Sequence, residues 1–309
     1  MNKIGDLDVF PLCLGGNVFG WTTGKERSFE ILDAYAAAGG NFIDTSDSYT
    51  ASAPGNSGGE SETIIGEWAE SRGNRDDIVI ATKVGRHPDR QGLAPANIKA
   101  AADDSLRRLR TDRIDLYYTH FDDPSVPVGD IMGALDELVT AGKVRHIAVS
   151  NIEPDRLEAS LEFAEREGTA RYVAIQPHYN LVSRDTYEGP RRDLAERYGL
   201  AAVPYYGLAS GFLTGKYRPG GKVDSVRAGR AAKYLETERG RRVLAALDLV
   251  AEEQGVAVAT AALAWLAAQP TVAAPIASAR TPDQLPPLVE SARTTLTDDQ
   301  LKRLTEASA

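Results

Sequence analysis

The stretch Ile78-Val-Ile-Ala-Thr-Lys83, followed by a helical segment at Pro95–Leu109 and then by Ile114-Asp-Leu-Tyr-Tyr-Thr-His120, decides the reading of the fold. Two short runs rich in β-branched and aromatic residues flank a longer stretch that opens on proline, the pattern of strand, crossover helix and parallel strand. The same alternation extends in both directions. Strand-like runs at 9–16, 41–46, 78–83, 114–120, 146–151, 172–177, 200–206 and 272–278 are separated by helical candidates that include 26–38, 61–71, 95–109, 129–141, 154–167 and 191–198. Pro95 and Pro154 stand at first-turn positions, and Gly39 and Gly142 where a helix should stop. Eight parallel strands predict an α/β fold closed into a (β/α)8, or TIM, barrel, as a single domain over residues 1–309. An open doubly wound sheet is the alternative. It would carry a glycine-rich dinucleotide fingerprint after its first strand, and Leu14-Gly-Gly-Asn-Val-Phe-Gly20 has the wrong spacing for one.

With 42% hydrophobic and 26% charged residues, the 309-residue chain has apolar material for a large core without disulfides or structural metal. Its one cysteine, Cys13, fits a reducing compartment, and the scattered His87, His120, His146 and His178 lack zinc-ligand spacing. A net charge of −9 with no basic patch argues against nucleic acid. An acidic residue, Asp6, falls where an export signal would begin its apolar core, and the apolar run 256–268 is too short to span a bilayer. The expectation is a cytoplasmic protein with no nucleic-acid or membrane partner, and its oligomeric state is not legible.

Two segments interrupt the alternation. Residues 50–59, rich in Ala, Ser, Gly and Pro, read as a mobile loop. Residues 215–240 carry Lys216, Arg218, Lys222, Arg227, Arg230 and Lys233 and read as a long loop, either a lid over something anionic or a solvated charge run.

Polar residues close the predicted strands: Asp44, Lys83, His120, Ser150 with Asn151, Gln176, Tyr205 and Ser278. In a barrel these carboxyl ends converge on one face, where they ring a pocket. Singly, each has a bland reading. Asp44 would serve as a turn cap, Tyr49 as an exposed aromatic, His120 as a hydrogen-bonded structural histidine, and Asn151 and Gln176 as rim residues satisfying backbone groups. Lys83 begins near the core and needs a partner. Jointly the bland readings weaken, because a carboxylate, a lysine, a tyrosine and an imidazole would need separate reasons to converge.

The motifs Phe42-Ile-Asp-Thr-Ser-Asp-Ser-Tyr49, Ile80-Ala-Thr-Lys83, Asp115-Leu-Tyr-Tyr-Thr-His120, Gly142-Lys-Val-Arg-His-Ile-Ala-Val-Ser-Asn151, Ile175-Gln-Pro-His-Tyr-Asn180 and Ala209-Ser-Gly-Phe-Leu-Thr-Gly-Lys216 resemble those of aldo-keto reductases. The chain looks most similar to the bacterial branch that resembles potassium-channel β subunits. The resemblance implies an NADP(H)-dependent enzyme that reduces small-molecule aldehydes or ketones to alcohols. In it, Tyr49 is the general acid, Lys83 lowers the tyrosine's pKa, Asp44 orients Lys83, and His120 hydrogen-bonds the carbonyl oxygen. It also implies that Ser150, Asn151 and Gln176 hold the nicotinamide carboxamide and that Tyr205 stacks on its ring. Leu208, Ser210, Gly211, Leu213 and Lys216 match the stretch that wraps the pyrophosphate, within a cofactor-covering loop around 207–240. Ser278, Arg280 and Gln284 match the adenosine-phosphate segment, and Gly16 and Asp44 complete the cofactor set. Asn17 and Val18 join Tyr49 and His120 at the substrate. Arg280 favours NADP over NAD, since a guanidinium holds a 2′-phosphate bidentately, although it could also cap a helix or pair with Asp283. The chain departs from the family pattern at Asn17, Tyr206-Gly207, Ser278 and Pro287-Leu288, which leaves adenine contacts and the substrate pocket open. Two other readings stand beside the reductase: a cofactor-sensing regulatory subunit with little turnover, and a Schiff-base enzyme using Lys83.

Overall fold

The structure, a computed structural model, describes residues 1–218, 220 and 228–309. Strands and helices alternate as β1 (Cys13–Gly15), α1 (Lys25–Ala37), β2 (Phe42–Asp44), α2 (Glu60–Arg72), β3 (Val79–Val84), α3 (Pro95–Leu109), β4 (Ile114–Thr119), α4 (Val128–Thr140), β5 (Val144–Ser150), α5 (Pro154–Glu167), β6 (Tyr172–Gln176), α6 (Pro190–Tyr198) and β7 (Ala201–Ala202). There follow α7 (Ala228–Glu236), α8 (Glu238–Gln254), α9 (Val258–Ala267), β8 (Ile276–Ala277), α10 (Leu285–Ser291) and α11 (Asp298–Ala307). The eight strands are parallel neighbours in the order β7-β6-β5-β4-β3-β2-β1-β8. Ala202 N donates to Thr271 O and Ala273 N to Ala202 O, both at 2.8 Å, and Ile276 N donates to Pro204 O at 2.9 Å, which joins the two edges. The sheet is a (β/α)8 barrel in one domain.

Alternation along each strand builds two apolar layers. Phe42, Ala81, Leu116, Tyr118, Ala148 and Ala174 share one buried cluster inside the barrel. Ile43, Ile80, Tyr117, Ile147 and Ile175 belong to the larger cluster formed with the helices. Gly66 allows α2 to meet the end of α3: a Cβ there would stand 2.5 Å from the Arg108 carbonyl oxygen. Among the described residues no single helix is long and apolar enough to cross a membrane.

The first predicted strand, 9–16, divides in two. Leu7–Val9 pairs antiparallel with Asn2–Ile4, and this hairpin sends Ile4, Leu7 and Val9 into the interior cluster. Asn2 Nδ2 donates to Ala273 O, and Asp6 contacts Arg145 and His146, so the hairpin closes the end of the barrel where the strands begin. Among the described residues the opposite end is left open. The runs 200–206 and 272–278 shrink to two-residue strands, because Pro204 and Pro275 have no N–H for the ladder.

The 50–59 loop is anchored rather than loose. The Glu60 carboxylate accepts from Ser57 N, Gly58 N and the Thr50 hydroxyl at 2.7 to 3.1 Å, and Asn56 Nδ2 donates to Gly20 O at 2.8 Å. Nor is 215–240 a continuous loop. It holds α7 and the start of α8, whose N-cap Thr237 accepts from Gly240 N at 3.0 Å. Lys222 and Arg227 lie outside the described residues, as does the side chain of Arg230.

Candidate active site

The open end holds a cleft of about 600 Å³. Asp44, Ser150 and Gln176 are the last residues of β2, β5 and β6, Lys83 is the penultimate residue of β3, and His120 and Ser278 directly follow β4 and β8. Asn17, Val18, Asp44, Tyr49 and His120 line one part of the cleft; Ser150, Asn151, Gln176 and Tyr205 line the adjoining wall. Leu208, Ser210, Gly211, Lys216, Ser278, Arg280 and Gln284 line the remainder. Three predicted residues stand behind this surface. Lys83 is fully buried under Asp44 and Tyr49, Leu213 is in the core, and Gly16 N donates to Asp44 O at 2.7 Å. A Cβ on Gly16 would come within 2.8 Å of Ser61 Oγ, so this glycine supports the floor of the cleft from behind.

Lys83 Nζ donates to Asp44 Oδ1 at 2.7 Å, to Thr45 O at 2.7 Å and to Tyr49 Oη at 2.8 Å. Three protons meet three acceptors, which is what a buried ammonium requires. An amine held in this way is a poor nucleophile, and that argues against Schiff-base chemistry. Asp44 also accepts from Tyr49 OH through Oδ2 at 2.9 Å and from Gln176 Nε2 through Oδ1 at 2.8 Å.

The Tyr49 hydroxyl is pushed well above the usual phenol range, first by burial and then by the Asp44 carboxylate beside it. The expected net lowering is absent, because burial and Asp44 prevail beside the Lys83 cation. With Asp44 adjacent, a tyrosinate would put two negative charges on one lysine, so the resting group is the neutral phenol.

His120 lies edge-on to Tyr49, with centroids 6.0 Å apart and planes at 78°. Burial, followed by the charges of Lys83 and Arg86, holds its pKa well below the usual histidine value, and the ring is neutral. Its Nδ1 is 3.3 Å from Ser46 Oγ, and its carbonyl oxygen accepts from Asn151 Nδ2 at 2.9 Å.

Along the other wall, Tyr205 OH donates to Asn151 Oδ1 at 2.8 Å, Asn151 Nδ2 to Ser150 Oγ at 2.9 Å, and Ser150 Oγ to Gln176 O at 2.8 Å. This chain of bonds fixes the Tyr205 ring against the cleft. His178 stacks on that ring at 5.5 Å and 19°. Beyond it, Tyr206, Ala209, Ser210 and Gly211 have φ of 57°, 48°, 58° and 94°. This left-handed turn is closed by its own backbone, Ala209 N donating to Tyr206 O at 2.7 Å and Gly211 N to Leu208 O at 2.8 Å, and Leu208, Ser210 and Gly211 line the cleft. Ser278 Oγ donates to Asn17 Oδ1 at 2.7 Å, and Arg280 N donates to Gln284 Oε1 at 3.0 Å. The Arg280 guanidinium forms no ion pair among the described residues, Asp283 included.

A half-exposed aromatic rim of Trp21, Phe121 and Tyr206 also borders the cleft. From sequence Tyr206 stood out only as a departure from the family pattern, and Trp21, Phe121 and His178 were not among the expected site residues. Trp21 and Phe121 had a readable signal, being large aromatics in the loops that follow the first and fourth strands.

A model of the aldo/keto reductase family matches residues 11–309. Norsolorinic acid reductase B of Aspergillus parasiticus is 32% identical over 99% of this chain and 83% of its own. The protein tas of Escherichia coli is 32% identical over 96% of this chain and 94% of its own. The NADP(+) aryl-alcohol dehydrogenase of Phanerodontia chrysosporium is 31% identical over 97% of this chain and 83% of its own. A family match that begins at residue 11 and runs to the last residue, on a barrel with this open end, establishes that the chain belongs to the aldo/keto reductase family.

Proposed function

We propose that this chain reduces aryl aldehydes or ketones to alcohols with NADPH as the hydride source and Tyr49 as the proton donor. The observation that carries the reading is the Tyr49 hydroxyl at the cleft, bracketed by Lys83 Nζ at 2.8 Å and Asp44 Oδ2 at 2.9 Å. The residues present fit a dinucleotide: a ring-sized wall at Tyr205, amide and hydroxyl partners at Ser150, Asn151 and Gln176, a tight backbone turn at 206–211, and cations at Lys216 and Arg280. When bound, the cofactor supplies the hydride. We assign the segment 207–240 to covering it, and Arg280 to the 2′-phosphate that separates NADP from NAD.

The chain's own residues then handle the proton and the oxygen. Tyr49 stays a phenol until a carbonyl oxygen gains negative charge, and its proton then moves to that oxygen. Lys83 already donates to Tyr49 Oη and stabilises the tyrosinate left behind, while Asp44 and Thr45 O keep the ammonium in place. Neutral His120 hydrogen-bonds the carbonyl oxygen beside Tyr49. Val18 with the rim of Trp21, Phe121 and Tyr206 offers apolar surface to an aromatic substrate, and Asn17 adds a polar amide beside it.

Relatives named for norsolorinic acid reduction and aryl-alcohol dehydrogenation support this over a cofactor-sensing subunit. On its motifs we also place the chain near the bacterial branch that resembles channel β subunits, and its single buried Cys13 supports a reducing, cytoplasmic setting. The test is a turnover assay of aryl and alkyl aldehydes and ketones with NADPH and with NADH. Multiple turnovers with NADPH and aryl carbonyls are expected; tight cofactor binding without turnover of any carbonyl overturns the reading.

A further inference from the structure

The loop after β2 carries two buried polar residues that the chemistry above does not use, Ser46 and Asp47. Ser46 Oγ is 3.1 Å from Asp47 Oδ1, 3.0 Å from Ser48 Oγ and 3.3 Å from His120 Nδ1, and it accepts from Ser48 N at 3.2 Å. A hydroxyl has one proton and two lone pairs. One lone pair is taken by Ser48 N. With the Ser48 hydroxyl turned to Asp47, its other partner, the two positions left on Ser46 Oγ face Asp47 and His120, and their direction depends on Asp47.

When Asp47 is ionised it can only accept, so Ser46 gives it the hydroxyl proton and takes a bond from His120 Nδ1–H. A neutral imidazole carries one N–H, and Nε2 is then bare. When Asp47 is protonated the chain reverses: Asp47 donates to Ser46, Ser46 donates to His120 Nδ1, and the ring proton sits on Nε2. We infer that Ser46 and Asp47 are positioning residues that set the tautomer of His120, and that the protonated form of Asp47 selects the Nε2–H imidazole able to donate to a substrate carbonyl. The inference rests on the proposed role of His120 at the carbonyl oxygen.

The surroundings of Asp47 favour its neutral form. From α2 the Glu62 carboxylate faces it, and from β4 the Tyr117 hydroxyl, which has no hydrogen-bond partner among the described residues. From α3 comes Arg108, but its Nε is committed to Glu62 Oε2 at 2.6 Å, and Thr82 of β3 donates to the other Glu62 oxygen. His87 packs with the Asp47 carbonyl against Gly58, and Ser48 lies alongside. Asp47 Oδ2 is buried with no partner. Burial and Glu62 push the Asp47 carboxyl up to about 7, so both forms are within reach near neutral pH. Lys83 and Arg86 face His120 and help keep it uncharged, so a tautomer remains to be chosen.

The experiment is histidine 15N NMR of the full chain with NADP+ bound, alongside the pH profile of NADPH-dependent carbonyl reduction. In the unaltered protein His120 is expected as Nε2–H at about pH 6 and as Nδ1–H at about pH 8.5, with kcat/KM falling about tenfold over that range. Asp47→Asn, whose amide donates at every pH, should hold the Nε2–H form throughout and flatten the profile. Ser46→Ala should abolish the pH dependence of the tautomer without moving the cofactor Kd more than about twofold. A His120 tautomer that ignores pH, or an Asp47→Asn profile that keeps the alkaline limb, overturns the inference. The NMR result does not need turnover: a tautomer switch in a protein that reduces no carbonyl would defeat the reductase reading and leave the relay standing.

Discussion

The Tyr49 hydroxyl donates its only proton to Asp44 Oδ2 at 2.9 Å while accepting one from Lys83 Nζ at 2.8 Å. To act on a substrate the proton must turn from Asp44 towards the cleft, and Lys83 can hold Oη in either orientation. Tyr49→Phe keeps the ring and removes only the acid. Carbonyl reduction should fall by roughly 10²- to 10⁴-fold, the usual worth of a general acid, with the NADPH Kd unchanged within about twofold. Steady-state kinetics with fluorescence titration of the cofactor checks this, and near-normal turnover would move the acid elsewhere.

Lys83→Met leaves Asp44 as a buried carboxylate without its cation. The loss of one partner from a buried pair costs about 3–5 kcal/mol, so the urea midpoint should drop markedly. Lys83→Met combined with Asp44→Leu removes both charges and should recover most of that stability while staying inactive. A double variant no more stable than the single one would show that the pair is not what holds this part of the barrel.

Arg280 and Tyr205 are expected to separate in their effects on the cofactor. Arg280→Met should weaken NADPH by roughly 10- to 100-fold, the equivalent of a charge-assisted hydrogen bond, and leave NADH nearly unchanged. Tyr205→Leu should weaken both cofactors alike, by roughly 2- to 10-fold, because stacking does not sense the 2′-phosphate. Equal losses of NADPH and NADH in the arginine variant would remove Arg280 from that role.

Stability should depend on pH through two opposing groups. His120 has a depressed pKa in the fold, so its neutral-state stability is present above the unfolded value near 6.5 and is lost as pH falls below it. Asp47 is raised, so its contribution is full below the unfolded value near 3.9 and is lost as pH rises towards about 7. Between those limits the two slopes offset. Urea unfolding as a function of pH should show His120→Gln gaining stability, relative to the parent, as pH falls from about 6.5, and Asp47→Asn losing it over the same range. Parallel curves for all three proteins would contradict both shifts.

The motif residues were legible because strand period and polar termini are local facts. A buried six-residue run such as Ile114-Asp-Leu-Tyr-Tyr-Thr119 reads as a strand from its own side chains, and His120 immediately after it must sit at the strand's carboxyl end. In an eight-stranded parallel barrel that placement alone puts Asp44, Lys83, His120, Ser150 and Gln176 at one mouth. The N-terminal hairpin was not legible, because Leu7–Val9 has the same alternation whether it pairs with the next strand or folds back on Asn2–Ile4. What separates the two is the empty end of the barrel that Ile4, Leu7 and Val9 fill. The helices of 228–254 were hidden for a similar reason, since a basic segment does not reveal whether one face is buried.

The sequence by itself determined the order of strands, the chemical types at their ends and therefore the reaction class. Only the tertiary structure decided the state of the groups. Tyr49 is held as a phenol because Asp44, five residues earlier, and Lys83, from the neighbouring strand, meet at its hydroxyl in a buried site. His178 became part of the wall only through its stacking on Tyr205. Electrostatic shifts and ring contacts depend on distances of a few ångströms between segments far apart in the chain. Spacing along the sequence places residues at a common mouth, and it cannot set those distances.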